Sequence, residues 1–314
     1  MQDRLVFLIG APLSGSARVA QLLGLHPQIA APIEPHLITP LAHLGYFARV
    51  ERAAYDPILT EAAMRELVAA LPGGERDYLD ALRACSDRIY AQLLAPSGRS
   101  LLLDATPAYA LVLDFLAQLY PRARYVVVTR NPLAIWCAFA RSALAGGDAA
   151  QDSENPRLER CVPAIARFLR ERAVPICHVR YEDLAGDPEA ALRSLCGFLG
   201  IEFAPAMLDG GARSGAAPAR WADAIAGDAP RLQLARRLLE RLLDPDLETW
   251  GFRRAEILAE LERAAGLPSP ARRPQWSRSA LERRLLVALR RNIHQNALGR
   301  ALRQVRRACD VLLR

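Results

Sequence analysis

Lysine is missing from this 314-residue sequence, so all 41 of its Lys-plus-Arg positions are arginine. That excludes a lysine Schiff base, a lysine general base and the phosphate-binding lysine of nucleoside triphosphatases. Cysteine pairs are missing too. Cys85, Cys137, Cys161, Cys177, Cys196 and Cys309 stand singly, with no CxxC and no cysteine–histidine cluster of metal-ligand spacing, which argues against a zinc site or a disulfide framework. Reduced core thiols and no metal are expected. Long apolar runs are absent as well: Leu5 to Ala11 is too short for a signal peptide, and nothing approaches the roughly 20 residues of a membrane span. The expectation is a cytoplasmic protein.

What remains is ordinary for a globular chain, 52% hydrophobic and 24% charged, enough for one large or two small domains. The charge is unevenly placed. Residues 271 to 314 hold 12 arginines against Glu282 and Asp310, a net of +10, which leaves −3 on the first 270 residues of a chain that totals +7.

Leu5-Val6-Phe7-Leu8-Ile9 reads as a buried strand ending at Gly10, and after Gly15 the spacing of Val19, Leu22 and Leu23 turns helical. Leu101 to Asp104, Ala123 to Arg130 and Pro175 to Tyr181 are further apolar strands, with a helix over Leu111 to Leu119 and Ala/Leu-rich helical spacing from about 40 to 100. Apolar strands alternating with helices predict an α/β fold with a parallel sheet covered on both faces. Ligands of such sheets sit at the carboxyl ends of the strands, here Gly10 to Ser16, Asp104 to Thr106, Arg130, and Tyr181 to Asp183. The turn Gly10-Ala11-Pro12-Leu13-Ser14-Gly15-Ser16-Ala17 would aim free backbone N–H groups at an anion at the positive end of a helix. It lacks the Gly-Lys-Ser/Thr ending of nucleoside triphosphatases, so ATP hydrolysis is not expected.

The run from Phe7 to Ser16, with Gln21 to Pro27 and Glu34-Pro35-His36, resembles the opening of bacterial sulfotransferases, enzymes that use 3′-phosphoadenosine 5′-phosphosulfate (PAPS). Asp104 to Leu111, Tyr120 to Pro132, Val179 to Leu184 continuing to Gly200, and Arg220-Trp221 match in the same order. The resemblance implies a P-loop-like three-layer fold over residues 1 to 267, with a central parallel sheet and a helical insertion at about 40 to 100.

By the same resemblance, Gly15, Ser16 and Ala17 would hold the 5′-phosphosulfate, Arg130 the 3′-phosphate, and Tyr181 would lie beside the adenine. Arg220 would border the phosphate end, Glu34 would take the acceptor's proton, and His36 is the second candidate for that role. No metal takes part. Plainer roles stay open: Glu34, flanked by prolines, can cap a loop, Glu182 and Asp183 can hold the strand end, and Arg130 can pair with a carboxylate such as Asp104.

Four positions depart from the family pattern. Leu13 and Ala105 stand where a cation is usual, Ala17 replaces a threonine and Ala138 a serine, with Arg18, Arg141 and Ser142 as candidate substitutes. Two readings follow. One is a sulfotransferase moving the sulfuryl group of PAPS to a hydroxyl or amine of a small-molecule acceptor. The other is a protein of the same fold that has lost PAPS chemistry and serves another reaction in the same pocket, or a non-catalytic binding role.

Residues 268 to 275 read as a proline-rich linker, and residues 276 to 314 as a basic amphipathic helical tail without an aromatic residue after Trp276. That absence speaks against nucleic-acid stacking, and no nucleic acid is expected as a partner. Packing on the body, contact with a second copy, and peripheral membrane contact are the roles left for the tail.

Overall fold

The computed structural model describes residues 1–32, 34–42, 57–145, 156–171, 173–209, 221, 225 and 228–264. The chain divides into two compact units, Met1–Ala265 and Gly266–Arg314, and all described residues belong to the first. The expected linker, the basic tail and Arg220 therefore lie outside the described residues.

Five strands form one wholly parallel sheet: β1 (Leu5–Gly10), β2 (Ile29–Ala30), β3 (Leu101–Asp104), β4 (Arg124–Thr129) and β5 (Ile176–Arg180), in the order β2-β3-β1-β4-β5. The helices are α1 (Ser16–Gly24), α2 (Ile38–Ala42), α3 (Pro57–Ala70), α4 (Glu75–Leu94), α5 (Leu113–Leu119), α6 (Pro132–Ala145), α7 (Pro156–Glu171), α8 (Tyr181–Gly186), α9 (Pro188–Leu199), α10 (Ala229–Arg241), α11 (Asp244–Trp250) and α12 (Arg254–Ala264). No helix among the described residues is long and apolar enough to cross a membrane.

The four strands read from apolar runs are present; β1, β3 and β4 are buried on both faces, while β5, at the sheet edge, is buried only at Val179. In β1 the side chains of Leu5, Phe7 and Ile9 enter one core with Tyr90, Leu116 and Tyr125, whereas Val6 and Leu8 enter the other with Leu22, Leu195 and Leu199. Each such side chain contributes roughly 1.5–3 kcal/mol by leaving water. This alternation makes three layers: α4, α5 and α7 on one side, α1 and α9 on the other, the sheet between.

Two details differ from the sequence reading. Strand β2 was not expected, because two residues give no periodic signal; it pairs with β3 through Ile29 and Ala30. The expected helix from Leu111 begins instead as a 3₁₀ turn, Pro107–Leu111, broken at Val112 before α5. Proline at its start and the burial of Tyr109 and Ala110 hold that tighter turn against the strand ends.

Candidate functional site

Every strand but β2 ends in residues that the sequence marked for ligand binding, and the segment after β2 supplies Glu34 and His36. All of them lie at the carboxyl edge of the sheet. Strand β1 is central, with its neighbours reached in opposite directions, so the crevice at its end is the switch point where parallel sheets bind ligands.

The turn after β1 is tight. Ser14 donates its N–H to the carbonyl of Ala11 at 3.0 Å, Leu13 takes φ 64° and Gly15 φ 93°, and α1 then starts at Ser16 with no side chain capping it. The first N–H groups of a helix have no partner within it, so Ser16 and Ala17 offer theirs to whatever sits in front. The buried Ser14 hydroxyl has no hydrogen-bond partner among the described residues. An uncapped helix start and an orphaned hydroxyl in one turn fit an anion. The Leu13 side chain, 40% exposed, adds no charge there.

Arg130, just past β4, joins this turn to β5. Its Nη1 donates to the Leu13 carbonyl at 3.1 Å, and its guanidinium carbon lies 4.7 Å from the centroid of the Tyr181 ring. The Arg130 carbonyl accepts the Trp250 indole N–H at 2.8 Å. Beside it, Glu182 accepts the Asn131 N–H at 2.9 Å through Oε1, while its buried Oε2 has no partner among the described residues. Burial pushes the Glu182 carboxyl up, against the pull of the backbone N–H bonds and of Arg180 and Arg130. Glu182 thus ties the start of α8 to the start of α6. A cavity of about 310 Å³ opens here, walled by Arg130, Tyr181, Glu182, Trp221, Phe252 and Glu256 among others. Its three aromatic walls suit a flat heterocycle.

Arg130 does not pair with Asp104. That carboxylate, wholly buried at the end of β3, instead accepts from the Tyr90 hydroxyl at 2.6 Å, the Tyr109 hydroxyl at 2.9 Å and the Thr106 hydroxyl at 2.7 Å. Burial pushes it up, and these hydrogen bonds offset part of the push. The segment carrying Glu34 and His36 leans on the same residues, and Glu34 Oε2 lies 3.3 Å from His36 Nε2 with both side chains about half exposed.

The structure therefore gathers Gly15, Ser16, Ala17, Arg130 and Tyr181 around one turn, and Glu34 with His36 in a second group on the same sheet edge. Arg18 points along α1 to Gln21 Oε1 at 2.7 Å. The side chains of Arg141 and Ser142, like Arg220, lie outside the described residues. Sequence reasoning missed Tyr90, Tyr109, Trp250 and Phe252. A tyrosine after Thr106-Pro107 was within the matching motif, whereas nothing local marks Tyr90 or Phe252.

A family model described as "Sulfotransferase family" matches residues 6–205. Nodulation protein NoeE of Sinorhizobium fredii (strain NBRC 101917 / NGR234) is 40% identical over 130 residues, covering 41% of this chain and 29% of that protein. The match thus spans less than a third of the relative's length. Among solved structures, the sulfotransferase domain from the curacin biosynthetic pathway is 22% identical, with 65% of this chain and 76% of that chain covered and a TM-score of 0.44. The sulfotransferase domain from the Synechococcus PCC 7002 olefin synthase is 22% identical, covering 90% of this chain and 94% of that chain at a TM-score of 0.45.

Proposed function

The chain belongs to the sulfotransferase family, and from that premise we propose that it transfers the sulfuryl group of PAPS to a hydroxyl or amine of a small-molecule acceptor. The observation that carries this is the assembly of Arg130, Tyr181 and the Leu13–Gly15 turn at the ends of β1, β4 and β5. In this reading the Ser16 and Ala17 N–H groups and the Ser14 and Ser16 hydroxyls hold the 5′-phosphosulfate at the positive end of α1. Arg130 turns its planar donors to the 3′-phosphate, and the Tyr181, Trp221 and Phe252 walls receive the adenine. Glu34, with His36 beside it, removes the acceptor's proton as the new bond to sulfur forms and the bond to the 5′-phosphate oxygen breaks. Much of the remaining acceleration comes from holding the reactants in line, as in phosphoryl transfer.

The test is calorimetric titration of 3′-phosphoadenosine 5′-phosphate (PAP), the nucleotide product. Micromolar binding, weakened by Arg130→Ala, is expected. No binding at millimolar nucleotide overturns the reading and leaves the fold serving a different reaction, which the apolar side chains at Leu13, Ala17 and Ala105 would then explain.

A further inference from the structure

Asp104 takes no part in the reaction as proposed, yet four hydrogen bonds converge on its buried carboxylate. Oδ1 accepts from the Thr106 N–H at 3.2 Å and the Thr106 hydroxyl at 2.7 Å; Oδ2 accepts from the Tyr90 and Tyr109 hydroxyls. Two of those hydroxyls also act as acceptors. The Thr106 oxygen receives the His36 N–H at 3.2 Å, and the Tyr109 oxygen receives the Ile38 N–H at 3.0 Å. Each hydroxyl has one hydrogen and an ionised carboxylate can only accept, so with Asp104 ionised the direction of both relays is fixed: backbone N–H to hydroxyl, hydroxyl to carboxylate.

The segment held this way is the one that carries Glu34 and His36. His36 has φ 51°, a left-handed conformation that a side-chain-bearing residue keeps only when its surroundings impose it. The hydrogen bond from its own N–H to Thr106 is such an imposition. Residues 36 and 37 have no strand to pair with, and α2 begins at Ile38, whose buried side chain fixes the far end of the segment. A short irregular segment of this kind owes its position to the few bonds that tie it down.

We propose that Asp104 is a positioning residue for the Glu34–His36 pair, acting through the Thr106 and Tyr109 hydroxyls. This rests on the reading that Glu34 or His36 takes the acceptor's proton. It adds that the buried end of β3 sets where they stand, and that Tyr90 ties the helical insertion, through α4, to the same point.

Thr106→Val and Tyr109→Phe each delete one relay while preserving shape, and Thr106→Ser keeps the hydroxyl. Hydrogen exchange at the His36 and Ile38 amides, PAP affinity, and turnover with PAPS and a panel of hydroxyl and amine acceptors are measured on all three. Exchange at residue 36 in Thr106→Val, and at residue 38 in Tyr109→Phe, should quicken by roughly tenfold, as for the loss of one hydrogen bond. Turnover should fall by about 10- to 100-fold with PAP affinity unchanged, the signature of a misplaced reacting group. Thr106→Ser should restore both. Unchanged exchange, quickened exchange with unchanged turnover, or failure of serine to rescue would each overturn the proposal. A wild-type protein that binds no PAP or modifies no acceptor instead defeats the functional reading, while exchange and serine rescue still decide whether the relays hold the segment. Should Tyr109→Phe not fold, the Thr106 pair carries the test alone.

Discussion

The Tyr181 ring lies so close to Gly15 that a Cβ there would come within 2.1 Å of the ring's Cδ2, far inside contact distance. Gly15 also has φ 93°, a conformation that costs a residue with a side chain about 1–2 kcal/mol. Both constraints act on the residue just before α1, so the turn and the end of β5 fit together only with glycine at this position. Gly15→Ala should therefore displace either the ring or the turn, lower PAP affinity by more than about tenfold and lower the melting temperature by roughly 2–4 °C for each kcal/mol lost. Calorimetry and thermal melting check both; an unaltered affinity in a destabilised variant would separate this contact from nucleotide binding.

Arg130 makes two unlike contacts at once, a directional hydrogen bond to the Leu13 carbonyl and a cation–π contact with the Tyr181 ring. A lysine retains the charge but neither the planar donor fork nor the stacking face. Arg130→Lys should recover only a minor part of the PAP affinity that Arg130→Ala loses. Dissociation constants measured at low and high salt should show the lysine variant more sensitive to screening, since only its unspecific charge remains.

Which of these features could be read from the chain depends on how local their causes are. β1, β3 and β4 announce themselves because a strand buried on both faces must be largely apolar, whereas β5, at the sheet edge and buried only at Val179, carries a weaker apolar signal. The turn is legible because glycine and serine meet where a strand gives way to a helical period. Arg130 was visible as a cation at a strand end, but its choice of the Leu13 carbonyl over the Asp104 carboxylate was not, because it depends on which strands are neighbours. Asp104 lies on the far side of β1 from β4, and Tyr90 and Tyr109 fill its coordination first. Tyr90 itself belongs to a helix whose apolar spacing gives no hint that one hydroxyl will meet a buried carboxylate.

Glu182 makes stability depend on pH in a predictable direction. Burial holds its carboxyl above the ordinary carboxylate range, so over that window the folded protein keeps a proton that the unfolded chain has released. Stability is then greatest on the acid side and is lost as pH rises from the ordinary value through the raised one. Glu182→Gln keeps the acceptor for the Asn131 N–H and removes the charge, so it should flatten the curve and gain on the wild type as pH rises. Melting temperatures across a pH series test this. Asp104, which burial pushes the same way, adds slope of the same sign in both proteins.

Glu34 and His36 lie 3.3 Å apart, half exposed, where an acceptor can reach both. Glu34→Gln removes the basic oxygen with little change of shape. Turnover should fall by about 10²- to 10⁴-fold, the usual contribution of a positioned base, with PAP affinity unchanged. A smaller loss in Glu34→Gln than in His36→Ala would transfer the role to the imidazole.

Arginine replaces lysine everywhere in this chain, yet at the turn, where the family resemblance places a cation beside the transferring group, the residue is Leu13. Its backbone holds Arg130 through the carbonyl, while its side chain is 40% exposed and packs into neither core. A longer, charged side chain can therefore be placed there without disturbing the turn, and the left-handed φ of 64° costs arginine no more than leucine. A cation aimed at charge developing in the transition state is worth on the order of 10² to 10³ in rate. Leu13→Arg should raise turnover with PAPS by at least about tenfold while changing PAP affinity little, whereas Leu13→Met, neutral and of similar size, should leave turnover where it was. Turnover that does not respond to the new arginine would mean that another cation already serves the sulfuryl group, with Arg141 and Arg220 as the candidates.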